Sequence, residues 1–287
     1  MTAVTSHHRP VTAAEPGPLV DVVAEPLTRG ARRSRVPRWL RRLSGPFVLL
    51  LAWAVSAEAG WLNRDLFPPP GEVFGAAWDL LASGQLQAHV GQSMLRVLTG
   101  TVLGVLAGVV IAVVAGLTRI GEDLLDSTMQ VFKAVPNFAL TPLLVIWMGI
   151  GEGPKILLIT LGVAIAIYIN TYSGIRSVDA QLVEVAQTVG AKRSTLIRHI
   201  VLPGATPGFL VGLRLGLSSA WLSLIFAETI NTTEGIGFLM SRAQTLLQFD
   251  VSVLIILIYA VAGLASYALV RLLERRLLAW RNGFQGV

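Results

Sequence analysis

Cysteine is absent from the chain, so disulfides and thiolate metal sites are excluded. Histidine is scarce: His7, His8, His89 and His199 show no ligand spacing, and no metal site is expected. Charge is scarce as well. Only 14% of the 287 residues are charged, against about 25% in soluble domains. With 53% hydrophobic residues and a mean hydropathy of +0.66, that shortage makes lipid the solvent for much of the surface. A nucleotide-binding loop is missing too. Gly116 and Gly121 have the four-residue spacing of a phosphate loop, but Glu122 and Asp123 follow where Lys and Ser/Thr are needed. Anions there repel phosphate. No Ser/His/Asp set or paired carboxylates stand out, so no enzyme active site is expected.

What is present is a run of apolar stretches. Residues 45–62, 90–117, 129–150, 156–175, 207–230 and 251–272 are predominantly apolar. A helix rising 1.5 Å per residue needs about 20 residues to cross about 30 Å of hydrocarbon. Five stretches meet that length; the first is marginal and contains Glu58. Ala57-Glu58-Ala59 after an Arg-rich lead also resembles a signal-peptide cleavage site. The long lead and the charge pattern favour an uncleaved first helix. Residues 1–44 are rich in Pro, Ala, Thr and Arg without an apolar period and read as a disordered basic tail. Its arginines are expected to face the cytoplasm and touch anionic lipid rather than nucleic acid.

With the N-terminus inside, cytoplasmic segments hold seventeen basic residues and external ones three, which predicts both termini inside. The external loop after the first span contains Phe67-Pro68-Pro69-Pro70, which is extended, and a stretch around Trp78 suited to a short interfacial helix. Expected units are therefore the tail (1–44), the first span and external loop (45–89), the remaining bundle (90–274) and a C-terminal tail (275–287).

Small residues recur every four positions in two spans: Gly100, Gly104, Gly108, Ala112 and Gly116, then Gly208, Gly212, Gly216 and Ala220. Residues four apart share one helix face, and small ones let backbones approach closely. These are expected to be packing seams. Pro136 and Pro142 predict kinks in the third span.

The sharpest signal lies in the loop at 178–203. It reads Glu184-Val185-Ala186, three residues, Gly190, nine residues, then Ile200-Val201-Leu202-Pro203. A short helix over 180–189 capped by Gly190, and a second over 192–200 ended by Pro203, are expected. This spacing resembles the E-A-A-x3-G-x9-I-x-L-P loop of ABC importer permeases, with Val185 in place of the middle alanine. The resemblance runs from about residue 66 to 280. It is closest to the aliphatic sulfonate permeases, relatives of those for taurine, nitrate and pyrimidine precursors. Phe67-Pro68-Pro69-Pro70, the run from Gly121 to Asp126, Pro142-Leu143-Leu144, Tyr168-Ile169-Asn170-Thr171, Gly174-Ile175-Arg176, Trp221-Leu222, Ala227-Glu228-Thr229 and Gly235-Ile236-Gly237 carry it.

The resemblance implies an all-α polytopic membrane protein with six transmembrane helices in the ABC type-1 importer fold. It implies ATPase coupling through Glu184, Ala186, Gly190, Ile200, Leu202 and Pro203. It also implies a permease homodimer, two copies of an ATPase subunit that holds Mg-ATP, and an external substrate-binding protein; no cofactor is expected in this chain itself. Arg96, Lys133 and Arg214 are the basic residues within spans. Arg96 and Lys133 are close enough to span ends to snorkel. Arg214, with Ser218, Ser219 and Asn170, is expected to line the translocation path, with snorkelling or pairing to loop charges as its alternative. Glu228 reads either as a solvated interfacial acid or as a contact for a binding protein or gate. An ion-coupled secondary transporter is the rival of another class, with Glu58 and Glu228 its only intramembrane acids.

Overall fold

The structure is a computed structural model that describes residues 38–279 except 62, 65 and 231. The chain divides into two units, residues 1–49 and 50–287. In the first, the described residues are helical from Arg38, where α1 (Arg38–Glu58) begins. The expected tail therefore ends sooner than residue 44; its part before Arg38 lies outside the described residues. Arginine and leucine are good helix formers, and the Arg-Trp-Leu-Arg-Arg-Leu start has no breaker to prevent it.

The second unit is described by itself, and every element in it is helical among the described residues. After the end of α1 come α2 (Pro70–Ala82), α3 (Gln85–Leu117), α4 (Arg119–Ala134), α5 (Asn137–Met148), α6 (Glu152–Arg176), α7 (Ala180–Thr188), α8 (Arg193–Thr229), α9 (Ile236–Thr245) and α10 (Phe249–Leu277). Pro69 is extended and Pro70 opens α2, where its missing N–H costs nothing. Phe74 and Trp78 on α2 are exposed, as an interfacial helix requires.

Four helices, α3, α6, α8 and α10, are long and apolar enough to cross a membrane. A fifth crossing needs α4 and α5 taken together, which meet at an 87° bend. The apolar part of α1, Phe47–Glu58, falls short of a full span. Six full-length straight spans are thus not observed among the described residues. Pro136 accounts for the bend: the chain leaves the helical region at Val135 and Pro136 before restarting. Pro142 does not kink anything, because it occupies the first turn of a helical segment. α10 runs on to Leu277, into the segment expected as the C-terminal tail, with Arg275 and Arg276 in its last turn.

The core is built around α6. Gly100, Gly104 and Gly108 of α3 lie against one side of it. A Cβ at Gly104 would stand 2.8 Å from the Thr160 carbonyl oxygen, and one at Gly108 2.7 Å from that of Ala164. Gly208, Gly212 and Gly216 of α8 lie against another side; a Cβ at Gly208 would reach 2.5 Å from the Asn170 carbonyl oxygen. Both glycine seams therefore let backbones touch, as the four-residue spacing predicts. Between them Val97, Ile159, Val163, Ile167, Ala220, Trp221 and Leu224 are buried together. α10 and α3 leave much of their apolar surface exposed, which suits lipid or another protein but not water.

Candidate functional site

Three features concentrate polar chemistry in this bundle. The first is the hairpin of α7 and the start of α8. Asp179 caps α7, its carboxylate accepting from Gln181 N–H at 2.9 Å. At the other end Gly190 takes φ +72°. Ala191 N–H reaches the Ala186 carbonyl and Gly190 N–H that of Gln187, both at 2.9 Å, the paired bonds of a Schellman cap. Ala186 is buried, while Val185 is 62% exposed. The position that departs from the alanine pattern therefore points outward, where volume is free. Glu184 is exposed and pairs with no basic group among the described residues. Leu182 and Val189, 54% and 76% exposed, extend Val185 into an apolar stripe at helical spacing.

The second arm of the hairpin differs from expectation. It is not ended by Pro203. A wide turn over Ile197–Val201 shifts the hydrogen-bond ladder by one residue, with Leu202 N–H bonded to the Ile197 carbonyl. Pro203, which has no N–H to give, then falls in the first turn of the segment that follows, and α8 continues. Ile200 lies in the wide turn and is half-buried; Leu202 is half-exposed. Val201, Ala205 and Leu196 pack with Ile175 of α6 and with Val113 and Leu117 of α3. Arg193 donates to the Leu117 carbonyl at 3.1 Å. The hairpin is thus fastened to the ends of two long helices.

The second feature was not legible as a unit in the sequence. At the opposite end of α6, Arg96 is 3% exposed and grips two carboxylates. Its Nε and Nη2 donate to the two oxygens of Glu152 at 2.6 and 2.8 Å. Its Nη1 donates to Glu228 at 2.6 Å and to the Glu234 carbonyl at 2.8 Å. Glu228 is buried and also accepts from Ser93 Oγ at 2.7 Å and from Gly237 N–H at 2.8 Å. Ser93 Oγ accepts from Ile236 N–H, and Lys155 bridges Glu152 to Thr232. Four elements, α3, α6, α8 and α9, are tied by one saturated network.

Two expectations fail there. Arg96 does not snorkel, and Glu228 is not a solvated interfacial acid. A buried charge persists only when paired and hydrogen-bonded, and each satisfies the other. The glycines of Gly235-Ile236-Gly237 let the backbone close over Glu228; a Cβ at Gly237 would stand 2.5 Å from the Glu228 Cβ.

The third feature concerns the four expected path residues, which do not converge. Arg214 turns to α10, where it pairs with Glu274 and stacks over the Tyr267 ring at 5.2 Å. Its carboxylate partner is Glu274 of α10 and not Glu184 of the loop. Ser218, one turn along, donates to the Arg214 carbonyl and is exposed. Asn170 lies on a different face, lining a polar cleft of about 340 Å³ with Ser173, Ser177 and Pro207. Ser219 stands apart from that cleft, beside Gly162 and Ser223. The acids of the Gly121–Asp126 run sit in a wide turn of α4; Glu122 accepts from Tyr172 and Asp126 from Tyr168. They serve packing rather than phosphate.

Comparison with known proteins decides the family. Residues 100–279 match the binding-protein-dependent transport system inner membrane component family. The chain belongs to that family. It is a permease subunit of an ABC importer, a transport component rather than an enzyme, and resides in the inner membrane. Membership implies an ATPase partner and a substrate-binding protein.

The permease is 44% identical to the aliphatic sulfonates transport permease protein SsuC of Escherichia coli (strain K12), over 87% of this chain and 96% of that one. It is 37% identical to SsuC of Bacillus subtilis (strain 168), over 94% and 98%. The taurine transport system permease protein TauC of Escherichia coli (strain K12) is 32% identical over 83% and 88%. The crystal structure of an amino acid ABC transporter shares the fold, with a TM-score of 0.59 at 18% identity over 70% of this chain and 97% of that one.

Proposed function

We propose that this permease moves aliphatic sulfonates into the cytoplasm, drawing on ATP hydrolysed by a partner that docks on the α7 hairpin. The exposed Leu182-Val185-Val189 stripe carries the coupling part of this reading. An apolar stripe on a nine-residue helix, rigidly capped and fastened to two spans, is suited to a protein groove. Water alone gives no reason for three large apolar side chains there. Ala186, Gly190, Ile200, Leu202 and Pro203 shape the hairpin, and Glu184 presents an exposed carboxylate to the partner.

In this reading the hairpin and both termini are cytoplasmic, and the Arg96–Glu228 network lies at the external end. Two permease copies enclose the path, two ATPase copies close beneath them, and a loaded binding protein docks outside. Closure on ATP shifts the bundle between inward- and outward-open states because the hairpin contacts differ between them. The sulfonate assignment rests on the relatives at 44% and 37% identity; taurine, a sulfonate itself, is the nearest alternative.

The test is Gly190→Glu in the intact transporter. The variant should reach the membrane but lose sulfonate-supported growth and copurification of active ATPase. A Gly190→Glu complex with wild-type coupled ATPase activity contradicts the docking assignment. Normal growth of a deletion strain on ethanesulfonate as sole sulfur source contradicts the substrate.

A further inference from the structure

The break between α4 and α5 opens a cleft of about 270 Å³, which of the four expected path residues only Ser219 lines. Lys133, Asn137, Phe138, Ser219, Ser223 and Phe226 line it together with Gly162. Its depth follows from α6. Gly162 stands ten residues from Glu152, so about 15 Å along the helix, half of a roughly 30 Å hydrocarbon layer.

Lys133 is exposed on this chain and pairs with no carboxylate among the described residues. A cation beside that cleft and facing lipid is unfavourable. A wet cavity removes the penalty. An anion removes it better.

Most of the other polar groups offer donors to an acceptor, Asn137 Oδ1 being the one buried acceptor of the lining left without a partner among the described residues. Asn137 Nδ2 donates to the Leu158 carbonyl at 3.0 Å and to Ser223 Oγ at 2.8 Å. Ser223, having accepted, is left with its own proton to donate. Ser219 Oγ has no hydrogen bond among the described residues. Gly162 makes the convergence possible: a Cβ there would stand 2.5 Å from Ser219 Oγ, 2.8 Å from Asn137 Nδ2 and 3.0 Å from Ser223 Oγ. The lining also has an apolar part, with Phe138 and Phe226 stacked at 4.8 Å between centroids.

We infer that this cleft is a midmembrane station for the transported solute, an oxyanion head with a short apolar tail. Lys133 and the Ser219 and Ser223 hydroxyls hold the head, and Phe138 and Phe226 receive the tail. An alkanesulfonate has that form: a permanent anion whose three oxygens accept hydrogen bonds, attached directly to carbon. The inference rests on the sulfonate reading above and adds where the permease itself meets the solute. Binding is weak, because a path that holds its cargo tightly does not release it.

The test is equilibrium binding of radiolabelled butanesulfonate to the purified permease–ATPase complex without the binding protein, with methanesulfonate and nitrate as competitors. Wild type should show saturable binding, weakened at least tenfold in Lys133→Gln and largely kept in Lys133→Arg. Phe226→Ala should weaken butanesulfonate more than methanesulfonate, a tail-length dependence that misfolding does not produce. Binding unchanged in Lys133→Gln, or no saturable binding to wild type, overturns the station. Binding of nitrate but not of either sulfonate overturns the head-and-tail assignment. Growth on ethanesulfonate is scored separately. A transporter that imports it while binding ignores Lys133→Gln keeps the proposed function and loses the station.

Discussion

Glu228→Ala should be the most damaging single truncation of a charged side chain in this permease. The carboxylate is buried and accepts from Ser93, Arg96 and Gly237, joining α3, α8 and α9. Removing one partner of a buried pair costs about 3–5 kcal/mol, because the other charge is left uncompensated. Arg96 keeps its two bonds to Glu152 and one to the Glu234 carbonyl, so the lower end, about 3 kcal/mol, applies. Glu152 is the internal control. It binds the same guanidinium, but its side chain is 53% exposed, so water replaces it and about 1 kcal/mol is expected. Thermal unfolding of the purified complex by intrinsic fluorescence measures both. Glu228→Ala should lower Tm at least twice as far as Glu152→Ala. The double variant Arg96→Leu with Glu228→Leu should recover part of the loss, since no unpaired charge stays buried. Equal shifts for the two single variants, or no recovery in the double one, would refute the argument from burial.

Other consequences are equally direct. Gly104→Val places branched carbon where the Thr160 carbonyl and Val163 already sit, so folded yield should collapse, measured by size-exclusion recovery. Gly190→Ala is milder: nothing crowds its Cβ, but φ +72° is strained for alanine, so about 1 kcal/mol of local stability should be lost, read as faster hydrogen exchange of α7. Arg214→Gln should leave transport within a few-fold of wild type. Its partner Glu274 is part-exposed, and such pairs contribute about 0–1 kcal/mol; a complete loss of uptake would restore it to the path.

The hairpin was legible in the sequence because its demands are local. A glycine needed at positive φ leaves a residue-level trace, whereas the Asp179 cap and the burial of Ala186 emerge only in the structure. The glycine seams were legible for the same reason: a period of four states which face must be small. The second hairpin helix was misread at Pro203 because proline stops a helix only if the ladder keeps its register. A one-residue shift over Ile197–Val201 let α8 continue. The Arg96 network was invisible because its members stand 132 positions apart for Arg96–Glu228 and 56 for Arg96–Glu152. Charge within an apolar run signals a partner but does not name it. Lys133 and Asn137 share that blindness, since their meeting with Ser219 and Ser223 depends on an 87° bend that Pro136 announces without giving its direction.

The chain has no cysteine, so single cysteines report contacts without background. The measurement that bears most directly on coupling is disulfide cross-linking of Val185→Cys to a cysteine scan of the ATPase surface in membrane vesicles, with Trp78→Cys on α2 as control. Val185→Cys should form an ATPase adduct whose yield changes on ATP addition, and Trp78→Cys should form none. Labelling of Val185→Cys by an impermeant maleimide from outside intact cells, with no ATPase adduct, would contradict the account.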